Sequence, residues 1–209
     1  MRVPDPNMPT IVKQFQNSGY PTFILTSRGQ EYRYATLREL FRNGYNFAIT
    51  APQLGVGTSE LWMPYESTTA HQQLGLSESA GFDQAELKSF KLNHPRLVNY
   101  THGVFFTAGQ HKGVLLRAFL RKANAKPKAI VFVDDNLKHC ERVQTAFKYS
   151  DAEVITIHYT KLDPSVDAFE NSDKRQVINE WEAFQSAYKA RDKSKAEKLL
   201  VICDRKEAG

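Results

Sequence analysis

Residues 129–136 read AIVFVDDN: an apolar run, two adjacent carboxylates and an amide. A short apolar run rich in Val and Ile and closed by polar residues predicts a strand. Because it is apolar at every position rather than at alternate ones, it is expected to be covered on both faces, as in a parallel sheet. In open α/β sheets ligands gather beyond the carboxyl ends of the strands. Asp134 and Asp135 fall at such an end. Neighbouring carboxylates raise each other's pKa unless a cation lies beside them. A hard divalent cation such as Mg2+, held by oxygen donors, meets that need.

The flanking sequence supports an α/β layered domain. Residues 112–123, KGVLLRAFLRKA, predict a helix with Leu115, Leu116, Phe119 and Leu120 inward. Residues 137–148 predict another, with Leu137, Cys140, Val143 and Phe147 on one face, and EVITIH at 153–158 a second strand. Nearer the N-terminus, residues 9–18 read as a helix presenting Ile11, Val12 and Phe15 and stopped at Gly19. TFILT at 22–26 is a short buried strand, and 30–42 a helix with Tyr34, Leu37, Leu40 and Phe41 at helical spacing. Residues 45–105 are rich in turn formers and weakly periodic. They are too long for a plain loop and are expected to be an insertion with its own small structure. Within them, LVNYTHGVFFT at 97–107 predicts a bent strand or hairpin returning to the main sheet. The segment 168–203 is mostly helical, and its stripe of Val177, Ile178, Trp181, Phe184 and Tyr188 is expected to pack into a core. Alternating strands and helices imply a mostly parallel sheet.

At 209 residues, with 41% hydrophobic and 24% charged residues, the chain is long enough for one domain with an insertion. The net charge of +5 is spread along the chain without a basic stripe or a nucleic-acid motif, so no nucleic-acid partner is expected. Two cysteines, Cys140 and Cys203, form no disulfide framework and no zinc spacing. Cys140 reads as a buried structural thiol. No apolar run approaches the roughly 18 residues of a membrane span. MRVPDPNMPT lacks the apolar centre of a signal peptide, so the chain as written is expected to stay in the cytoplasm. His94, His102 and His111 fit no zinc pattern and are expected on the surface or in packing.

Three pieces converge on the strand ends: Thr26 and Ser27 after TFIL, Lys112 opening a helix, and the acidic pair. A hydroxyl can bond a phosphoryl oxygen, an ammonium can balance charge as phosphate transfers, and the acids can hold a metal. In this order the pieces resemble the haloacid-dehalogenase-like (HAD-like) superfamily of phosphohydrolases. ILTSR at 24–28 resembles its second motif, Lys112 in QHKGVLLRAFL its third, and VFVDDN at 131–136 its fourth. GVFFTAGQHKGVLLRAFL followed by IVFVDDN also resembles a group of such proteins found in intracellular bacteria such as Legionella and relatives of Coxiella. The resemblance spans about residues 5–160.

It implies a Rossmann-like three-layer parallel sheet and a single domain over 1–209, with a cap-like insertion at about 45–105 and a C-terminal helical segment. It also implies magnesium-dependent hydrolysis of a phosphomonoester. Thr26 and Ser27 would hold the phosphate of a phosphorylated substrate, and Lys112 would be the catalytic cation. Asp134 and Asp135 would hold Mg2+, with Asn136 positioning that shell.

The family's first motif, DxDx[T/V] at a strand end, supplies the aspartate that attacks phosphorus. No DxD occurs in the 209 residues. The resemblance therefore leads to the expectation of an incomplete fold: an N-terminally truncated copy, a misplaced start at Met1, or a degenerate copy surviving as a non-catalytic binding or scaffold protein. Little or no hydrolysis is expected of the chain as given. The lost strand would leave a gap between the strand at 22–26 and that at 129–133, with open backbone on both sides. A response-regulator receiver, which also pairs acids for Mg2+, is disfavoured because one clear strand follows VDDN, and then a long helix.

Overall fold

A computed structural model describes residues 5–54 and 61–204, with side chains up to residue 191; Cys203 lies outside the described side chains. The chain divides into two compact units, Met1–Thr160 and Lys161–Gly209.

The first unit is mixed α/β and carries two sheets. Its elements in order are α1 (Met8–Asn17), β1 (Ile24–Thr26), α2 (Arg33–Arg42), β2 (Leu61–Trp62), α3 (Ala70–Gln73), α4 (Gln84–Ser89), β3 (Val98–Thr101), β4 (Val104–Phe106), α5 (Lys112–Lys122), β5 (Ala129–Asp134), α6 (Leu137–Phe147) and β6 (Glu153–His158). The larger sheet runs β1-β4-β3-β2 and the smaller pairs β5 with β6. β1 is parallel to β4, with Thr26 opposite Phe106; β4 and β3 are antiparallel. β5 and β6 are parallel, with Asp134 opposite His158.

The hairpin foreseen at 97–107 is β3–β4. His102 and Gly103 close it with φ of 50° and 73°, the doubly left-handed turn that suits the twist of tight hairpins. A Cβ on Gly103 would lie 2.7 Å from the backbone of Phe47, so close packing as well as conformation calls for glycine there.

α5 organises the core. One side of it, with Val114, Leu115 and Phe119, packs into a cluster with Tyr100, Phe105 and residues of the 65–92 segment such as Leu76, Phe82 and Phe90. Its Leu116 belongs to a second cluster with Phe132, Cys140, Val143 and Phe147. Phe23 and Leu25, flanking and within β1, touch both clusters. Arg117 of α5 donates to the carbonyls of Leu74 and Ala146 (3.0 and 2.7 Å), satisfying C-terminal carbonyls of α3 and α6 that lack helical partners.

Several expectations are corrected here. β5 is not covered on both faces: Phe132 is buried, but Val131 and Val133 are 63% and 50% exposed. The reason is that α5 and α6 supply cover only on the Ile130–Phe132 face. Leu137 is exposed because it occupies the first turn of α6, ahead of the inward stripe of Cys140, Val143 and Phe147. Ile11, Phe15, Tyr34 and Phe41 are exposed too, since α1 and α2 each bury a single polar residue, Gln16 and Thr36.

Among the described residues, β1 is hydrogen-bonded only to β4 and β5 only to β6. Both therefore present an open backbone edge, although side chains from Leu25 of β1 and Ile130 and Phe132 of β5 share one cluster beneath α5.

The second unit holds α7 (Asp163–Glu170) and α8 (Arg175–Asp204). The stripe expected to be core is exposed, with Trp181 at 57%; its aromatic rings stack along their own helix, Trp181 to Phe184 at 5.5 Å and Phe184 to Tyr188 at 6.4 Å. Two helices with no sheet to cover cannot enclose a stripe of that width. No helix among the described residues is long and apolar enough to cross a membrane.

Candidate functional site at the strand ends

Lys112 and Asp134 meet. Lys112 is the first residue of α5 and Asp134 the last of β5, and Nζ lies 2.5 Å from Oδ2. Both side chains are buried, 9% and 5% exposed. An isolated buried charge is strongly disfavoured, so each requires the other. The second oxygen of Asp134 is also engaged: Oδ1 accepts from the Asn136 backbone N–H at 2.9 Å. A carboxylate offers about four lone-pair directions, so both oxygens keep capacity for a further partner.

The loop after β5 is held by its own side chains. Asn136 caps α6, its Oδ1 accepting from the Lys138 N–H at 3.0 Å, a position where asparagine is favoured. Asp135 is exposed, and its carbonyl accepts from His158 Nε2 at 3.1 Å. Asp134 is thus a fixed, buried carboxylate and Asp135 a free, solvated one.

Close approach of α5 and α6 brings Lys112 to this place. A Cβ on Gly113 would lie 2.2 Å from the Arg142 carbonyl oxygen and 2.7 Å from Ala146 Cβ, so only glycine permits the contact. The first turn of α5 is capped by His111, whose Nδ1 accepts from the Val114 N–H at 3.2 Å. Burial pushes the His111 pKa down to about 3, with nearby Arg142 acting the same way. His111 is therefore neutral, and with Nδ1 accepting, the ring proton sits on Nε2. His139, one turn into α6, has a buried Nδ1 without a hydrogen-bond partner. Burial first and Lys112 next lower its pKa, while Asp134 raises it.

Thr26 and Ser27 lie at the same end of the larger sheet. The Thr26 carbonyl accepts from both the N–H and the Oγ1 of Thr107 at 2.9 Å, and the Ser27 carbonyl from the Gly109 N–H at 2.7 Å. These bonds lash the end of β1 to the turn leading into His111 and Lys112. No hydrogen bond joins Thr26 or Ser27 to Lys112 or Asp134. Thr26 Oγ1 instead accepts from the Arg28 N–H at 3.3 Å, and Ser27 is exposed. The structure thus joins two of the predicted pieces directly and leaves the third tied by backbone alone.

Among the described residues there is no group of three or more His, Cys, Asp or Glu side chains placed to hold a metal. The donor chemistry still suits Mg2+, which commonly takes one or two carboxylates and keeps several waters; Asp134 and Asp135 supply that number. His94 is exposed and His102 is a turn residue whose Nδ1 is 2.9 Å from Thr101 Oγ1. Sequence reasoning missed Gly113 and His139. The glycine opens a helix without any turn to announce it, and a histidine in a helix carries no periodic signal.

The model of a family described as "Protein of unknown function (DUF2608)" matches residues 1–196. No curated protein and no solved structure matches the chain.

Proposed function

Taking as premise that the chain belongs to the DUF2608 family, we propose that it carries the site of a HAD-like, magnesium-dependent phosphohydrolase. The observation that carries this reading is the buried Lys112–Asp134 pair at the carboxyl end of a parallel strand, with Asp135 beside it.

In this reading Thr26 and Ser27 bind phosphoryl oxygens and Lys112 offsets their charge. Asp134 and Asp135 hold Mg2+, and Asn136 fixes the loop that presents them. Magnesium, when bound, supplies charge neutralisation at a phosphoryl oxygen. In this reading the α/β layer of β5, β6, α5 and α6 would be one half of a Rossmann-like three-layer arrangement, and a strand bearing the nucleophile would pair with the open edges of β1 and β5.

The 209 residues contain no DxD, so this chain by itself is expected to bind phosphate and Mg2+ without turning over phosphomonoesters. That same observation favours a second reading, a binding module derived from the HAD-like fold. Turnover of p-nitrophenyl phosphate with Mg2+ and with chelator separates them; no turnover, the result expected of these 209 residues, leaves the binding module as the reading for this chain. Mg2+-dependent turnover lost in Asp134→Ala would discard the binding module. Turnover that ignores both Mg2+ and Asp134 would discard the phosphohydrolase site.

A further inference from the structure

A concavity of about 290 Å3 has His111 in its wall. That volume is near the lower end for small-molecule sites. Three cations line it: Lys91, Arg96 and Arg142. They come from three separate stretches of chain, the loop after α4, the approach to β3, and α6. No carboxylate is among the lining residues, and none of the three cations pairs with one among the described residues.

The setting is built rather than incidental. Gln110 is buried and fixes the Arg96 backbone from both sides: its Nε2 donates to the Arg96 carbonyl and its Oε1 accepts from the Arg96 N–H, both at 3.0 Å. The same amide accepts from the Tyr65 hydroxyl at 3.3 Å and donates to the Thr107 carbonyl at 3.0 Å. The Arg96 guanidinium stands over Gly109, where an added Cβ would meet Nη2 at 3.6 Å. Lys91 holds φ of 50°, a conformation that glycine or asparagine adopts more readily. His111 lines the wall with its Nδ1 already committed to Val114, so Nε2–H is the donor left to face outward.

Like charges converging on a concave wall focus a positive potential. The geometry points to a binding site for a phosphate-bearing small molecule in this cavity, held by Lys91, Arg96 and Arg142 with the His111 Nε2–H as a further donor. One carboxylate would match one of three cations; a phosphate group carries roughly −1.5 to −2 at neutral pH and several acceptor oxygens. The site does not depend on the phosphohydrolase reading, because its ligand is bound there and not turned over.

Calorimetric titration of the full chain tests it, with inorganic phosphate, glycerol 3-phosphate and, as a carboxylate source, malonate. Phosphate or its ester is expected to bind saturably without Mg2+, and its loss in the arginine variants assigns that binding to this cavity rather than to Thr26, Ser27 and Lys112. A charged hydrogen bond lost in Arg96→Gln or Arg142→Gln should weaken binding about tenfold or more. Lys91→Gly should weaken it as well while relaxing the backbone, which separates charge from folding. Tighter binding of glycerol 3-phosphate than of phosphate marks a phosphorylated metabolite as the ligand; equal binding marks phosphate itself. Four results would overturn the assignment: no saturable binding, malonate binding as tightly as phosphate, affinity unchanged in both arginine variants, or an equal loss in the remote control Lys13→Gln.

Discussion

Lys112 Nζ and Asp134 Oδ2, 22 residues apart in sequence, meet at 2.5 Å and fasten the first turn of α5 to the end of β5. Removing one partner of a buried ion pair typically costs about 3–5 kcal/mol, because the other charge is left uncompensated. Lys112→Met is therefore expected to destabilise the first unit by about that amount. Lys112→Met with Asp134→Leu should recover much of the loss. Urea unfolding of the three proteins gives the comparison; a double variant no more stable than the single one would contradict the account of the pair.

Gly113 permits the helix contact that makes this pairing possible. Gly113→Ala would normally strengthen a helix. Here the added methyl meets backbone, and overpacking of that kind costs about 1–3 kcal/mol. The melting temperature should fall. An increase would mean that α5 and α6 do not approach as closely as described.

His111 carries a pH dependence of defined sign. Its folded pKa of about 3 lies below the ordinary value of 6.5. Between those values the unfolded chain binds the proton and the folded chain does not, so stability falls as pH drops from 7 towards 3. At pH 4 the loss from this group is on the order of 3 kcal/mol. His111→Asn keeps a good helix cap and removes the titration, so the variant should lose less stability than the parent between pH 7 and pH 4. Parallel pH profiles in denaturant melts would refute it.

The open edge of β5 is testable amide by amide. The Glu153 N–H donates to the Lys128 carbonyl and the Tyr159 N–H to that of Asp134. The parallel ladder between them directs the N–H groups of Ile130 and Phe132 toward β6 and those of Val131 and Val133 away from it. Hydrogen exchange should be slow at Ile130 and Phe132 and fast at Val131 and Val133. Equal protection would show that another strand or chain occupies that edge.

Much of this was legible in the sequence, and the limits have physical causes. AIVFVDDN and EVITIH announced strands by composition, and KGVLLRAFL a buried helix, because local pattern and tertiary burial agree there. The apolar run of β5 led to an expectation of cover on both faces that Val131 and Val133 do not have. A strand's pattern records what its faces can tolerate, not how many helices arrive to cover them. The stripe on α8 misled in the same way. Within the site, Lys112 and Asp134 were readable as pieces of one pocket. The fit that joins them, at Gly113 against Arg142 and Ala146, depends on helix separation, which no single-chain periodicity encodes.

The most direct test of the central claim is a Mg2+ titration followed on the backbone amide resonances of the full chain. The account predicts saturable shifts centred on Asp134, Asp135 and Asn136, abolished by Asp135→Asn, a change to an exposed side chain that leaves the Lys112–Asp134 pair in place. Shifts absent from these three residues, or undiminished in Asp135→Asn, would contradict a magnesium site at the end of β5 and with it the phosphohydrolase reading.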